Sequence, residues 1–272
     1  MARHGDVLIE RGPGVVRATF DRPDERNAIN EGLIEGMAAA IDIATRQEAR
    51  VLVLRGAGGT FCAGADLQYV SSLLAADDRG LEEYIGRLAD VLARFEAAPF
   101  AVLAAIEGYA LAGGCEILLA CDMALATTDA RIGDRHLEYG LLPGAGGSVR
   151  LPRTLPIARA RYLLMTGEMI DGTTAADWGL VTRAVPPGQF DEALEQLVGR
   201  LASRSVDALA AVKRMTLENA ERDVPAGVEA ERRIFSAYFR DSADGREGLA
   251  AFREKRVPQF RSPVRDDQEA TT

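Results

Sequence analysis

Glu116 follows Gly113 by three residues in the stretch Ile106-Glu107-Gly108-Tyr109-Ala110-Leu111-Ala112-Gly113-Gly114-Cys115-Glu116. The stretch leaves a strand-like run and leads into an apolar run over 116–121 that reads as a helix. Gly113 and Gly114 are therefore expected at or near a helix N-terminus. Backbone N–H groups there lack partners, and the helix dipole is positive. Such an end receives anions. Three residues along a helix return the chain to the same face, so the Glu116 carboxylate is expected one turn from the Gly113 amide. A donor for a developing oxyanion and a carboxylate base would face one cavity. That is the minimum needed to remove a proton beside a carbonyl. A strand–glycine–helix turn also serves as plain tight packing, so this segment alone decides nothing.

Two further glycine-containing segments stand out. Phe61-Cys62-Ala63-Gly64-Ala65-Asp66-Leu67 follows the strand-like run 51–54 and the loop 56–60. Its small residues would let a ligand approach the backbone. Asp66 by itself reads as a helix N-cap. Leu141-Leu142-Pro143-Gly144-Ala145-Gly146-Gly147-Ser148 is a turn before a helical stretch, and it also fits a plain loop. The chain has two histidines, His4 and His136, so a histidine-rich metal site is impossible.

The elements that must hold these segments follow from hydrophobic periodicity. Residues 7–10 and 15–20 read as strands around the turn Arg11-Gly12-Pro13-Gly14. Asn30 is the expected N-cap of a helix to Gln47, with Leu33, Ile34, Met37, Ala40, Ile41 and Ala44 at helical spacing. Runs 51–54, 100–106 and 123–126 are strand-like, and 81–96 is helical up to Pro99. Strands alternating with helices imply an α/β core with buried, mostly parallel strands. After Pro152 the pattern turns helical at 157–166, 173–178, 190–203, 206–221, 225–240 and 244–255. Thr173 is the expected cap of one helix, and Asp191 opens another. One apolar run, 180–185, interrupts them. The expected organisation is a core over 1–190, a helical region over 191–264 and a polar, disordered tail over 265–272.

Composition agrees with an ordinary globular chain. The 272 residues are 47 % hydrophobic and 27 % charged, with no uninterrupted apolar window of membrane-spanning length. The start is mixed and charged, unlike a secretory signal. Three irregularly spaced cysteines argue against a disulfide framework and for a reducing compartment, with the cytoplasm expected. A net charge of −9 opposes nucleic acid as the main partner.

Taken together, the glycine segments resemble the enoyl-CoA hydratase/isomerase (crotonase) superfamily. The likeness spans nearly the whole chain: Asp21-Arg22-Pro23 with Asn27-Ala28-Ile29-Asn30, then 61–67, 108–116 and 140–147, and last Phe252-Arg253-Glu254-Lys255-Arg256. The resemblance implies a spiral of ββα units with a helical C-terminal region that forms trimers, often paired into hexamers. It implies that a thioester oxygen sits between the backbone N–H groups of Ala65 and Gly113. Coenzyme A, as part of the substrate and with no tightly bound cofactor, would lie along Arg26, Ala28, Ala63, Asp66 and Leu67. Phe252 and Lys255 match residues that reach the cofactor, commonly across a subunit interface, although Lys255 equally fits a surface charge. The variable segment 69–95, with Tyr69, Val70, Leu73, Leu74, Tyr84 and Leu88, would line the acyl pocket.

One position departs from the pattern. Hydratases of the family use two glutamates. The first matches Glu116, and the second stands four residues before the glycine of a Gly-x-x-Pro-Gly turn. Here that glycine is Gly140, and four residues back is His136. In an extended segment Asp134, His136 and Glu138 point one way, and Glu138 is displaced by about 7 Å from His136. Glu138 therefore reads as a surface charge. Imidazole, with an ordinary pKa near 6.5, exchanges protons at neutral pH, and Asp134 could hold its charged form. The expected activity is a lyase that hydrates a 2-enoyl-CoA, as in fatty acid metabolism. Isomerisation, decarboxylation or hydrolytic C–C cleavage on the same fold is an alternative. A non-catalytic acyl-CoA-binding or RNA-binding homologue is another, weakened by the acidic balance and by the retained Glu116.

Overall fold

Apolar runs with every residue buried need cover on both faces, and this chain supplies it. The computed structural model describes residues 1–76 and 78–260. Seven strands form the main sheet in the order β1-β2-β3-β4-β5-β7-β10: β1 (Ala2–His4), β2 (Val7–Gly12), β3 (Val15–Phe20), β4 (Val51–Gly56), β5 (Ala101–Ile106), β7 (Met123–Thr127) and β10 (Arg183–Val185). The first three pair antiparallel, and β3, β4, β5, β7 and β10 run parallel. Successive side chains alternate between faces. Leu52 and Leu54 of β4 join one apolar cluster with Leu33 and Met37 of α1 (Glu31–Arg46) and Leu92 of α3 (Asp78–Ala97). Val51 and Val53 face the other way, against Phe190, Leu194 and Val198 of α8 (Phe190–Ala202). The buried, mostly parallel strands thus follow the expectation.

The Asn30 cap is as read: its side chain accepts from Leu33 N at 2.9 Å. Thr173 is not the cap of α7 (Gly172–Trp178). Asp171 is, through Thr174 N, because its side chain lies outside the first turn and Thr173 lies within it. The glycine-led helix α4 (Gly113–Leu119) starts three residues earlier than its apolar run suggests, and it ends before residue 121.

A small second sheet was not expected. It joins β6 (Tyr109–Leu111), β8 (Arg131–Gly133) and β9 (Ile170–Asp171). Strands of two or three residues are too short to carry a periodic signal. Helices α2 (Leu67–Ala76) and α5 (Gly147–Thr154) flank the site segments, and α6 (Ile157–Thr166) follows. The chain ends in α9 (Val206–Asn219), α10 (Val224–Asp241) and α11 (Asp244–Glu254). Lys213 ties α9 to the sheet: its Nζ donates to Phe95 O at 2.6 Å, Phe100 O at 3.2 Å and Asp122 Oδ2 at 2.8 Å. The expected tail 265–272, with 261–264, lies outside the described residues.

Candidate active site

Three segments are laced edge to edge by backbone hydrogen bonds. Cys62 N donates to Tyr109 O and Leu111 N donates to Cys62 O, at 2.8 and 3.0 Å. On the other side Ile29 N donates to Gly64 O at 2.8 Å and Asp66 N donates to Ile29 O at 2.9 Å. Asn27, fully buried, locks the entry: its Oδ1 accepts from Arg22 N, and its Nδ2 donates to Ala57 O and Thr60 O. Gly64 has φ +108°, a conformation that side-chain-bearing residues rarely adopt. It brings the chain alongside α4: a Cβ on Gly64 would lie 3.6 Å from Gly113 N, and one on Gly113 would lie 3.6 Å from Ala65 N. Among the described residues, neither the Ala65 nor the Gly113 amide donates to a protein acceptor.

Ala112 precedes Gly113 with φ 48° and ψ −116°, a strained backbone for a residue with a Cβ. Its N–H donates to Gly133 O at 3.0 Å, which anchors the turn that starts α4. The strain therefore falls on the residue that sets the direction of the Gly113 amide.

Glu116 is 2 % exposed, and its Oε1 accepts two backbone hydrogen bonds, from Ala145 N at 2.9 Å and Gly147 N at 2.8 Å. This gives the third glycine segment its role as the clamp of the carboxylate. Burial pushes the Glu116 carboxyl above its ordinary value. The Gly147 amide, the His136 charge and the Ala145 amide oppose that, and Asp134 adds to it. One oxygen is thus fixed, and among the described residues Oε2 accepts no hydrogen bond from the protein.

His136 does not lie in an extended segment. Residues His136–Tyr139 form a 3-10 turn that ends at Gly140 in the left-handed region. Asp134 nevertheless reaches the ring, with Oδ1 at 2.9 Å from Nδ1. Burial lowers the imidazole pKa, but the bond to Asp134 and the charges of Asp134 and Glu116 outweigh it, so the group rises above its ordinary value. Glu138 points elsewhere, half-exposed and 3.4 Å from Arg135. The site thus brings a buried carboxylate and an imidazole into each other's field.

The residues expected to hold the cofactor gather on one side. Ala63 N donates to Arg26 O at 3.1 Å, and Arg22 joins Ala28 O to Asp66 Oδ2 at 2.5 and 2.9 Å. Asp66 also caps α2, accepting from Gln68 N and Tyr69 N, and Leu67 beside it is exposed. The Arg26 guanidinium lies 5.6 Å from the Tyr109 ring centre. Phe252, exposed, and Lys255, at the C-cap, belong to the end of α11, which packs on α9 and α10. Among the described residues no hydrogen bond or ion pair joins either side chain to the five residues above. In the variable segment, Tyr84 and Leu88 are core residues, with Tyr84 Oη donating to Ile29 O at 2.9 Å, while Leu74 is exposed.

Sequence reasoning missed Arg22 and Asn27 as organisers and the Ala145 and Gly147 amides as partners of Glu116. The signal for the first two was present, since both fall in the short motifs at 21–23 and 27–30.

The chain is similar to known proteins over nearly its whole length. The enoyl-CoA hydratase/isomerase family model matches residues 10–263. A protein named probable enoyl-CoA hydratase from Rhizobium meliloti is 35 % identical over 262 residues, covering 94 % of this chain and 97 % of the relative. A Mycosarcoma maydis protein named enoyl-CoA isomerase/hydratase is 34 % identical over 257 residues, covering 91 % and 92 %. The crystal structure of an enoyl-CoA hydratase from Bacillus anthracis superposes with a TM-score of 0.88 at 30 % identity, over 94 % of this chain and 98 % of that one. The family model, these relatives and the shared fold lead to one conclusion: this chain belongs to the enoyl-CoA hydratase/isomerase superfamily.

Proposed function

We propose that the chain hydrates a 2-enoyl-CoA, and catalyses the reverse dehydration, with Glu116 as base and His136 as acid. The thioester oxygen lies between the N–H groups of Ala65 and Gly113. Glu116 Oε2 takes a proton from water, and the water oxygen bonds to the β-carbon. The double-bond electrons move toward the thioester and load negative charge on its oxygen, where the two amides stabilise it. His136 Nε2–H then gives its proton to the α-carbon. Glu116 and His136 return to their starting states by proton exchange with solvent, so the net change is addition of one water. Losing one such amide donor costs about 3 kcal/mol of transition-state stabilisation in other enzymes.

The observation that carries this reading is the pairing of a clamped carboxylate with an Asp-supported imidazole, beside two amides without protein acceptors. Coenzyme A enters as part of the substrate, along Arg26, Ala28, Ala63, Asp66 and Leu67. No tightly bound cofactor is invoked. Phe252 and Lys255 reach it from a neighbouring copy in a homotrimer or a dimer of trimers. Exposed Val228, Phe235 and Leu249 on α10 and α11 support such assembly. Among the described residues no helix is long and apolar enough to cross a membrane. Three free thiols at Cys62, Cys115 and Cys121 suit a reducing compartment such as the cytoplasm.

The test is hydration of straight 2-enoyl-CoAs of several lengths, followed by loss of the conjugated thioester absorbance. Inactivity on all of them refutes the hydratase reading. The Mycosarcoma maydis relative's name supports a second reading, double-bond isomerisation, in which one group takes a proton and another returns it. Incubation of a 3-enoyl-CoA with the protein, read by mass-neutral gain of conjugation, separates the two.

A further inference from the structure

Asp134 is 2 % exposed, and Oδ1 holds both the backbone N–H and the ring Nδ1 of His136, at 3.3 and 2.9 Å. The two bonds fix the start of the 3-10 turn and the orientation of the ring together. A carboxylate only accepts, so Nδ1 must carry the proton, and Nε2 is the nitrogen left for other partners. The second oxygen, Oδ2, faces α5: a Cβ on Gly147 would lie 3.2 Å from it and 3.3 Å from Glu116 Cγ. Gly147 thus lies between two buried carboxylates, and a Cβ there, which would also meet Pro143 Cβ at 3.1 Å, would need these neighbours to give by a few tenths of an ångström. Two carboxylates and one imidazole share the site, which favours the imidazolium.

We propose that Asp134 is the positioning residue of the acid half of this site, holding Nδ1–H of His136 so that a charged imidazole presents Nε2–H to the substrate. This rests on the reading of His136 as the acid. Asp134 itself touches no reacting atom. The site then rests with Glu116 as a base and His136 already loaded as an acid. Each turnover begins without a proton transfer between them.

The charged groups around the ring support this assignment. Asp134 and Glu116 both raise its pKa. Arg135 of the same segment turns to Gly167 O and Glu138. On α6, which packs against the turn, Arg159 lies over the Trp178 ring and Arg161 is exposed. Arg150 of α5 is engaged by Glu96 and Ala145 O.

The chain has two histidines, so the ring can be followed directly in the full-length protein carrying 13C- and 15N-labelled histidine. A His4→Gln variant assigns the signals. The expected result is an imidazolium that persists above the ordinary pKa near 6.5, and a neutral form with the proton on Nδ1. In Asp134→Asn the midpoint should fall by about one pH unit or more, the usual effect of removing an adjacent opposite charge. The alkaline limb of kcat/KM should move with it, giving roughly a tenfold loss above that limb and a smaller loss below it. A wild-type midpoint at or below the ordinary value, or a neutral ring protonated on Nε2, overturns the proposal even if the variant fails to fold. So does a folded variant that loses activity equally at every pH. Inactivity of wild type on every 2-enoyl-CoA would instead refute the hydratase reading, while the titration still reports on Asp134.

Discussion

Replacing Glu116 by Gln removes a charge while leaving the geometry almost untouched. Oε1 accepts from two backbone amides, at 2.9 and 2.8 Å. An amide nitrogen placed there would face two donors, so the glutamine must orient its oxygen toward Ala145 and Gly147. Its NH2 then occupies the position of Oε2, where it donates and cannot accept a proton. The clamp persists and the base is lost. General acid–base catalysis contributes 10²–10⁴ in rate, equivalent to about 2.7–5.4 kcal/mol of barrier. We expect kcat on a 2-enoyl-CoA to fall by at least about a hundredfold. Calorimetric affinity for coenzyme A should change little, because the residues expected to hold the cofactor are not partners of Glu116. Glu116→Ala provides the contrast: it strands two buried amides at about 1–3 kcal/mol each and so should lower the urea midpoint, whereas Gln should not. If the Gln variant keeps kcat within about tenfold of wild type, well short of the acid–base range, Glu116 is not the base.

Three further outcomes are expected of the same molecule. The profile of kcat/KM against pH should be a bell with both limbs displaced upward. Its acid limb reports loss of the ionised base as pH falls through the raised Glu116 pKa, and its alkaline limb reports loss of the imidazolium as pH rises through the raised His136 pKa. A profile flat across neutral pH would separate these groups from the chemistry. Ala112→Gly should relieve about 1–3 kcal/mol of backbone strain against about 0.5–1 kcal/mol of added chain entropy, raising Tm by a few degrees. An unchanged or lower Tm would show that this backbone is unstrained. Lys213→Met removes the cation that pairs with Asp122, leaving that carboxylate only the Val102 amide, and takes a donor from the Phe95 and Phe100 carbonyls, so it should cost about 3–5 kcal/mol in urea unfolding. A loss below about 1 kcal/mol, the scale of an exposed ion pair, would make that contact incidental.

Much of the fold was legible because it rests on long periodic segments. The helix after Asn30 carries its buried face in its apolar spacing, and the unbroken apolar run 51–54 marks a strand buried on both sides, as the structure shows. The small sheet was hidden because its strands hold two or three residues and pair through non-local partners. The start of the helix at Gly113 and Gly114 was read correctly, while its apolar run suggested bounds of 116–121 because glycine has poor helix propensity and carries no apolar signal. Their presence reflects close packing: a Cβ on Gly114 would lie 2.2 Å from Cys62 O. At the site, the types and spacing of Gly113, Glu116 and His136 were readable. The partners were not, because a backbone amide leaves no residue type behind. Ala145 N and Gly147 N bind Glu116 from a turn 29 and 31 residues away, and an alanine or glycine there looks like any loop. The 3-10 turn at His136 was missed because four residues with one helical turn match an extended reading equally well.

One stretch, 133–147, reaches the Gly113 turn, His136 and Glu116. Gly133 O holds Ala112 N and so directs the Gly113 amide. Asp134 holds His136, and the amides of Ala145 and Gly147 hold Glu116. The other wall, built from 27–30 and 61–66, is laced to β6 by backbone bonds that do not depend on side-chain identity. A change of residue at 134 or 136 therefore alters which proton moves without disturbing the two free amides. A change of backbone at 133 disturbs the turn before the Gly113 donor, and one at 147 disturbs the carboxylates of Glu116 and Asp134 together. On the proposed reading the oxyanion donors are main-chain groups, and the acid and its support are the side chains of His136 and Asp134. This division also orders the expected failures. Substitutions at Asp134 or His136 should alter the pH dependence and the rate while leaving the thioester contacts intact, whereas a side chain at Gly147, in tight contact with Asp134 Oδ2 and Glu116 Cγ, should disturb the acid and the base together.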